Sequence, residues 1–391
     1  MPNHDNREFA ANGFGTRAIH AGQRPDPTTG AIMTPVYLTS TYVQEEPGKL
    51  KGYDYSRTCN PTRTALEANL AALEGGAHGL CFSSGMAAMN TVLNLLRSGD
   101  HVICGNDLYG GSYRLCRTLY EKFGLSFDFI DMTDLDNVRQ AIRDETRMIM
   151  VETPSNPLLR VYDLAAIAST ANEHSILSVC DNTFATPYNQ TPLALGFDIV
   201  WHSATKYLGG HSDVIGGAIV VDQDDLRQQL AHFQNTVGGT PGAMDCFLLL
   251  RGTKTLHLRM QRHAENAAQI AAALHENPRV KVVHYPGDES NPQIELVRRQ
   301  MRTGGGMVSF ELDASVEDSK RVASAFRVFA LAESLGGVES LIDHPVSMTH
   351  GAIPREERIK AGFHDGLIRL SVGVEDIEDL LADVDQAIAV L

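Results

Sequence analysis

Short apolar runs alternate with amphipathic stretches between residue 61 and residue 255. The amphipathic stretches Thr62–Glu74, Met86–Leu96 and Leu164–Glu173 have the spacing of helices with one buried face. The apolar runs have the length of buried strands: Gly79–Phe82, His101–Cys104, Ser126–Ile130, Met148–Val151, Ile176–Cys180, Ile199–Trp201 and Ala218–Val221. Because short buried strands that alternate with helices form parallel sheets, the pattern predicts an α/β fold with a mostly parallel central sheet.

The regions on either side have different patterns. Residues 1–60 are rich in Pro, Gly, Thr and Tyr and have little helical periodicity, which predicts an extended arm that could reach a partner subunit. Phe247–Glu276 is one long amphipathic stretch. Beyond it, we predict strands at Val280–His284 and Met307–Leu312 and helices at Val316–Phe326 and Val374–Val390. The predicted domains are therefore the arm, a large domain over residues 61–255 and a smaller α+β domain over residues 256–391.

Composition narrows the class of protein. With 391 residues the chain is long enough for two lobes, and its 43% hydrophobic and 21% charged residues are typical of a globular enzyme. The net charge of −15 disfavours binding to nucleic acid or to an anionic membrane. Residues 1–7 have no apolar signal-peptide core behind them, and no apolar run approaches the roughly 18–20 residues that span a bilayer. The six cysteines show no metal-ligand spacing, so we expect a cytoplasmic protein without a bound metal.

A lysine and an aspartate that follow apolar strands point to a cofactor. Lys206 comes shortly after the run Phe197–Trp201, and Asp181 ends the run that begins at Ile176. A lysine can form a Schiff base with the aldehyde of pyridoxal phosphate (PLP), and an aspartate can keep the pyridine nitrogen protonated. A surface lysine and an aspartate used as a helix cap or in a salt bridge remain alternatives. The pair favours amino-acid chemistry.

A phosphate site is predicted where Ser83–Met86 follows a strand and begins a helix. Backbone N–H groups of Gly85 and Met86 at a helix start can bind phosphate, although a small-residue turn can also be purely structural. Ser203 and Thr205, which flank the lysine, could donate hydroxyl groups to the same phosphate.

Two aromatic segments could contact the cofactor. Tyr109 lies beside glycines in a loop after a strand, where its ring could stack on a flat ligand or simply be half-buried. Tyr55 and Arg57 are two residues apart in a segment predicted to be extended, so their side chains would point to one side. They could bind phosphate or substrate, also in another subunit, or belong to an arm that only docks.

A charged residue within an apolar strand suggests a carboxylate site. Arg369 lies inside the apolar segment Leu367–Ser371, and a buried guanidinium needs an anion. That anion could be a substrate carboxylate, which matches the guanidinium fork, or an internal salt-bridge partner. Asn156, in the loop after Glu152, could bind the same carboxylate or the cofactor O3′, or be an ordinary turn residue.

Eight segments, in order across nearly the whole chain, resemble motifs of the Cys/Met metabolism family of PLP-dependent enzymes. That family includes cystathionine γ-synthase, the cystathionine γ- and β-lyases and methionine γ-lyase. The matching segments are YSRTCNPT (Tyr55–Thr62), SSGMAA (Ser83–Ala88), DLYGGSYR (Asp107–Arg114), ETPSNP (Glu152–Pro157), DNTFATP (Asp181–Pro187), HSATKYLGGHSD (His202–Asp213), AESLGGVESL (Ala332–Leu341) and LIRLSVGVED (Leu367–Asp376).

The resemblance implies a fold type I, aminotransferase-like architecture and a homotetramer built from active dimers. It implies that Lys206 is the Schiff-base lysine and proton carrier, that Asp181 is the pyridinium partner, and that Tyr109 stacks on the ring and transfers protons. The remaining implied roles concern phosphate and carboxylate: Gly85, Met86, Ser203 and Thr205 for the phosphate, Tyr55 and Arg57 for the phosphate of the neighbouring subunit, and Arg369, Asn156 and Ser334 for the substrate α-carboxylate.

Within the family, polar positions narrow the expected activity. Gly111 stands where methionine γ-lyases usually carry a cysteine, which argues against that activity. Asp54, Arg114 and Glu333 match positions that recognise the distal amino-acid end of the substrate in cystathionine enzymes. An acid at position 333 suits a distal ammonium group, and because β-lyases tend to lack it, β-elimination ranks lower.

The expected reaction is the α,γ-elimination of L-cystathionine to L-cysteine, 2-oxobutyrate and ammonia. The alternative is cystathionine γ-synthase, which joins cysteine to an O-acyl-L-homoserine. Both reactions share one intermediate, so the residues named above do not separate them. A PLP-fold binding or regulatory protein is the non-enzyme alternative, and the complete set of site residues argues against it.

Overall fold

The computed structural model describes residue 9, residues 11–351 and residues 355–391. The chain divides into two compact units of two segments each. The first unit holds the chain up to Leu96 and Thr191–His257, and the second holds Arg97–Gln190 and Leu258–Leu391. The predicted domain boundaries after residues 60 and 255 differ from this division into compact units, and they stay a prediction. Residues 1–7, used above to argue against a signal peptide, lie outside the described residues.

Strands of the central sheet overlap all seven predicted apolar runs. They are β1 (His78–Phe82), β2 (His101–Gly105), β3 (Ser126–Ile130), β4 (Thr146–Glu152), β5 (Leu177–Asp181), β6 (Ile199–Ser203) and β7 (Gly217–Val221). In the first unit, β7 lies between β1 and β6 and is antiparallel to both. In the second unit the order is β5-β4-β2-β3, and all pairings are parallel. The central sheet is therefore mixed, and the predicted α/β fold is confirmed.

The smaller sheet belongs to the second unit. Its strands are β8 (Val280–His284), β9 (Met307–Leu312), β10 (Ala330–Leu331), β11 (Leu341–Asp343) and β12 (Leu367–Ser371), in the order β10-β11-β12-β9-β8. A buried apolar cluster fixes this sheet, with Val308, Phe310, Ile368 and Leu370 from its central strands at its centre. The predicted strands Val280–His284 and Met307–Leu312 are confirmed.

Helices account for most of the other regular structure. Within the described residues they are α1 (Phe14–His20), α2 (Pro61–Glu74), α3 (Gly85–Leu93), α4 (Gly110–Thr118), α5 (Leu135–Ala141), α6 (Leu164–Glu173), α7 (Thr186–Asn189), α8 (Asp224–Val237), α9 (Ala243–Thr253), α10 (Leu256–Glu276), α11 (Ile294–Gln300), α12 (Val316–Ala323), α13 (Arg355–Ala361) and α14 (Ile377–Ile388). Helix α2 shows why these boundaries arise: the Asn60 side chain caps its N-terminus, Pro61 is its first residue, and Gly75 ends it with a positive φ of 78°.

The amphipathic stretch Phe247–Glu276 is covered by two helices, since α9 ends at Thr253 and α10 begins at Leu256. Two predictions need correction. The arm is not free of helix, since Phe14–His20 forms α1 with Phe14 and Ala18 buried. Helices α12 and α14 are shorter than predicted, because apolar periodicity continues into loops that pack against the same core. In the part of the chain that the structure describes, no helix is both long and apolar enough to cross a membrane.

Candidate active site

The turn between β1 and α3, in the first unit, forms a narrow backbone cradle. Ser84 caps α3, and its hydroxyl oxygen accepts a hydrogen bond from a first-turn N–H at 3.0 Å. A Cβ added to Gly85 would lie 2.9 Å from the Cα of Ser203, and one added to Gly217 would overlap the Ser84 carbonyl oxygen. The cradle therefore has no room for side chains at these glycines. It exposes the start of a helix, where N–H groups and the helix dipole favour phosphate.

Lys206 lies in the turn that follows β6, together with Ser203 and Thr205. Lys206 is half-buried, and its N–H donates to the Ser203 carbonyl at 3.3 Å while its carbonyl accepts from Gly210 at 2.8 Å. The Thr205 hydroxyl donates to the Gly216 carbonyl at 3.3 Å and accepts from the Gly216 N–H at 3.0 Å. A phosphate contact from Thr205 would therefore require its hydroxyl hydrogen to turn away from Gly216.

Replacing Gly85 by Ala is expected to weaken PLP binding by about tenfold or more, because the added Cβ would push Ser203 away from the start of α3. The dissociation constant of PLP, measured by fluorescence titration of the apo-protein, reports this loss. Gly13→Ala is the matched control, since a Cβ at Gly13 would have no atom within 4 Å. An unchanged constant for Gly85→Ala would refute the assignment of phosphate to this cradle.

Tyr55 and Arg57 lie close together, but not in an extended segment. Residues 56–58 form a turn, and the Arg57 guanidinium carbon lies 5.5 Å from the centre of the Tyr55 ring. Arg57 Nη1 donates to the Asn235 carbonyl at 2.5 Å and to its side-chain oxygen at 3.1 Å. Both side chains are exposed, and the preceding Asp54 is half-buried. The predicted extended geometry is wrong, because the turn and the cation–π contact align the two side chains instead.

In the second unit, the carboxyl ends of β2 and β4 lie side by side, at the point where the order of strand connections reverses. Strand β2 connects through α4 to β3 on one side, and β4 connects through α6 to β5 on the other. Open α/β sheets bind ligands at such topological switch points. Tyr109 lies in the loop after β2, and its N–H donates to Glu152 Oε2, at the end of β4, at 2.8 Å. The Tyr109 side chain is 40% exposed, so its ring is accessible to a ligand.

Three buried acids end or follow neighbouring strands of this unit. Asp107 follows β2, and Glu152 and Asp181 are register partners at the ends of β4 and β5. Burial raises the pKa of Glu152 well above its ordinary value, and the charges of Asp181 and Asp107 raise it further. Burial also raises the pKa of Asp107 to about 6. Asp181 Oδ1 accepts from the Thr183 N–H at 3.0 Å and from its hydroxyl at 2.5 Å. This concentration of buried acids suits a cationic partner such as a pyridinium, which would favour their ionised forms.

Arg369 has a buried carboxylate partner. It lies on β12, is 2% exposed, and is paired across the sheet with Asp343, with 3.1 Å between Nη2 and Oδ2. Nη1 donates to Asn156 Oδ1 at 2.8 Å, and Nη2 donates to the Ser334 carbonyl at 3.3 Å. Among the described residues, Nε has no hydrogen-bond partner. The salt-bridge alternative is therefore realised, and the guanidinium still has a donor for a second anion.

The polar residues expected at the distal end of a substrate are at the surface. Glu333 is exposed and precedes Ser334, whose carbonyl contacts Arg369. Arg114 is exposed on α4, the helix that begins directly after Tyr109. Gly111 lies against the Tyr109 ring, and a Cβ at this position would overlap the ring. With Tyr109 in this conformation, position 111 has no space for a side chain.

Sequence reasoning missed the acid that pairs with Arg369. Asp343 ends the apolar strand β11 in the same way that Asp181 ends β5, so the pattern contained a usable signal. Thr349 and His350, which contact Asp343 and Asn156, lie in a loop whose sequence has no periodicity that marks them. Among the described residues, no group of three His, Cys, Asp or Glu side chains is placed to hold a metal.

Comparison with known proteins gives consistent matches over almost the whole chain. The family model of the Cys/Met metabolism PLP-dependent enzymes matches residues 15–389. A cystathionine β-lyase of Coxiella burnetii is 55% identical over 95% of this chain and 97% of its own length. A cystathionine γ-synthase of Mycobacterium tuberculosis is 50% identical over 96% of this chain and 97% of its own length.

A solved structure gives the same result for the fold. The crystal structure of cystathionine γ-lyase from Lactobacillus plantarum, complexed with L-serine, superposes with a TM-score of 0.94 and is 49% identical. The match covers 96% of this chain and 98% of that one. The expected fold type I architecture, with a mixed central sheet and a smaller C-terminal sheet, is thereby confirmed.

Proposed function

We propose, from the premise that this chain belongs to the Cys/Met metabolism family of PLP-dependent enzymes, that it converts L-cystathionine by α,γ-elimination to L-cysteine, 2-oxobutyrate and ammonia. Family membership makes it an enzyme of cysteine and methionine metabolism with PLP as its cofactor. The observation that supports the proposed substrate is the set of contacts around Arg369. This buried cation keeps an unused donor, and the carbonyl that it contacts belongs to Ser334, next to the exposed acid Glu333.

The residues of each unit fit parts of PLP. The cradle at Gly85, Met86 and Ser203 suits the phosphate, because a Cβ at Gly85 would fill it. Asp181, among buried acids, suits the protonated pyridine nitrogen, and Lys206 supplies the amine for the aldehyde. Bound PLP supplies an electron sink that stabilises negative charge at the substrate Cα.

The chain's own residues would then bind the substrate and move its protons. Arg369 and Asn156 bind the α-carboxylate and fix the orientation of the Cα–H bond. The Lys206 amine removes the proton from Cα, a second proton is then removed from Cβ, and the Tyr109 hydroxyl protonates the sulfur as the bond between Cγ and sulfur breaks. The distal end of cystathionine carries a second ammonium and a second carboxylate. Glu333 suits that ammonium, and its polar companions at this end would be Asp54 and Arg114.

The N-terminal arm supports assembly with further copies of the chain. Three of its apolar side chains are strongly exposed: Ile32 at 80%, Leu38 at 75% and Val43 at 83%. Such surfaces are typical of protein–protein contacts. In the proposed homotetramer of active dimers, Tyr55 and Arg57 of one subunit reach the cofactor phosphate of its neighbour. The cytoplasmic location stays a prediction.

Two other activities are supported by relatives. Cystathionine β-lyase is the second candidate, because the relative from Coxiella burnetii carries that name at 55% identity. Cystathionine γ-synthase is the third, on the same ground at 50% identity. The acid at Glu333, which the family resemblance associates with enzymes that act at Cγ, favours the γ-lyase over the β-lyase.

The deciding experiment is product analysis of the purified, PLP-loaded protein with L-cystathionine. We expect 2-oxobutyrate and cysteine as the main products, identified by mass spectrometry after derivatisation. Pyruvate with homocysteine would instead assign β-lyase activity. If cystathionine is not cleaved, an O-acyl-L-homoserine with cysteine is the next substrate pair, and formation of cystathionine would assign the synthase.

A further inference from the structure

A threonine and a histidine lie between the Arg369 site and the loop of Tyr109, and the proposed mechanism does not use them. Thr349 and His350 belong to the segment that follows β11 in the second unit. His350 is fully buried, and Thr349 is half-buried. Burial of an imidazole costs free energy unless its nitrogens have hydrogen-bond partners, so both nitrogens of His350 are expected to have partners.

Thr349 and His350 connect two partners of the Arg369 guanidinium, Asp343 and Asn156. The Thr349 hydroxyl donates to Asp343 Oδ2 at 2.7 Å, the same oxygen that lies 3.1 Å from Arg369. His350 Nδ1 lies 3.0 Å from the Thr349 hydroxyl, and Nε2 lies 3.2 Å from the backbone carbonyl of Asn156. The Asn156 side chain accepts a hydrogen bond from Arg369 Nη1 at 2.8 Å.

Counting hydrogens shows that the Thr349 hydroxyl is shared. Burial and the nearby charge of Arg369 lower the pKa of His350 to about 3, so the ring is neutral and carries one hydrogen. Nε2 faces the Asn156 carbonyl oxygen, which can only accept, so this contact requires the hydrogen on Nε2. In that tautomer Nδ1 is an acceptor, and the single hydroxyl hydrogen of Thr349 lies between Nδ1 and Asp343 Oδ2. Because Asp343 is a carboxylate, it is the stronger acceptor of the two.

The backbone of the same threonine contacts the loop of Tyr109. A Cβ added to Gly110, the residue after Tyr109, would lie 2.7 Å from the Thr349 carbonyl oxygen. The Leu108 carbonyl, before Tyr109, also faces the His350 ring. One short segment thus contacts Asp343 through the Thr349 side chain, and it contacts the Tyr109 loop through the Thr349 backbone and the His350 ring.

We propose that Thr349 and His350 are positioning residues that couple occupancy of Arg369 to the placement of the Tyr109 loop. A carboxylate that binds Arg369 draws the Arg369 guanidinium away from Asp343, and the hydrogen bond from the Thr349 hydroxyl to Asp343 then becomes stronger. The stronger hydrogen bond holds Thr349 and His350 more firmly against the loop at Gly110. The inference rests on the proposed function, in which Arg369 binds the substrate carboxylate and Tyr109 protonates the leaving group.

Hydrogen–deuterium exchange of the holoenzyme tests the coupling, with L-alanine as a probe that has an α-carboxylate and no leaving group. In the wild type we expect L-alanine to slow exchange in residues 108–114. Thr349→Val should abolish this protection and raise KM for the natural substrate by at least about tenfold, with a smaller change in kcat. Thr349→Ser, which keeps the hydroxyl, should restore both.

Thr170→Val is the matched control. Thr170 is also buried in the second unit, but its hydroxyl donates only within α6, to the Ala166 carbonyl at 3.0 Å. If Thr349→Val keeps the protection, or if Thr170→Val loses it equally, the proposal is overturned. Thr349→Val with an unchanged KM would also overturn it.

A second comparison does not depend on catalysis. His350→Gln keeps an N–H that can reach the Asn156 carbonyl, whereas His350→Phe keeps only the ring shape. Without any ligand, we expect faster exchange in residues 108–114 for His350→Phe than for His350→Gln, and equal rates would contradict the positioning role. Because this measurement needs no turnover, a wild type without lyase or synthase activity would refute the proposed function separately.

Discussion

Replacing Lys206 by Ala is expected to abolish turnover, with a loss of roughly 10⁴-fold or more in kcat. The lysine has two functions in the proposed mechanism, attachment of the cofactor aldehyde and removal of the Cα proton, and alanine can perform neither. Activity on cystathionine and the yellow absorbance of the cofactor attached to the lysine should disappear together.

Two further measurements make the Lys206 prediction specific. Lys206→Arg keeps a cation at this position but cannot condense with an aldehyde, so it should be as inactive as Lys206→Ala. Reduction of the wild type with borohydride, followed by peptide mapping, should place the pyridoxyl group on Lys206. A label on another lysine, or full activity of Lys206→Ala, would end the assignment.

Replacing Arg369 is expected to lower kcat/KM by about 100- to 1,000-fold, because the substrate α-carboxylate would lose a buried, charge-assisted partner. The simple Arg369→Ala variant would also leave Asp343 as an unpaired buried charge, which costs about 3–5 kcal/mol of folding stability. The double variant Arg369→Ala/Asp343→Asn removes that charge and is the better test. Asp343→Asn alone is its reference.

A pair of ligands separates carboxylate binding from structure at Arg369. L-alanine carries an α-carboxylate, and ethylamine is the same molecule without it. Spectral titration of the holoenzyme should show that the double variant loses affinity for L-alanine and keeps its affinity for ethylamine. Equal losses for both ligands would mean that Arg369 serves only the internal salt bridge with Asp343.

The positions of the strands in the central sheet followed from the sequence, to within one or two residues at their ends. Helix α6 has the predicted bounds Leu164–Glu173, and Asp181 ends β5 as predicted. These features depend on local properties: apolar periodicity, capping side chains and glycines that accept a positive φ. The same local reasoning wrongly predicted an extended segment at Tyr55 and Arg57. Segments rich in Pro, Gly and polar residues form both extended chain and tight turns, so composition does not distinguish the two.

The contacts of the candidate site were decided by the tertiary structure. The sequence indicated that Arg369 needs an anion, but the choice of Asp343 depends on the register of β11 against β12, and the contact with Asn156 joins residues 213 positions apart. The neutral state of His350 likewise depends on burial beside Arg369.

By itself, the sequence determined the α/β class, the family and the positions of Lys206, Asp181 and the glycine cradle, because local patterns and short motifs encode them. Only the tertiary structure determined which acid neutralises Arg369 and which residues connect it to the Tyr109 loop. The physical reason is that such partners lie far apart in the chain, and only the packing of strands and loops brings them within hydrogen-bonding distance.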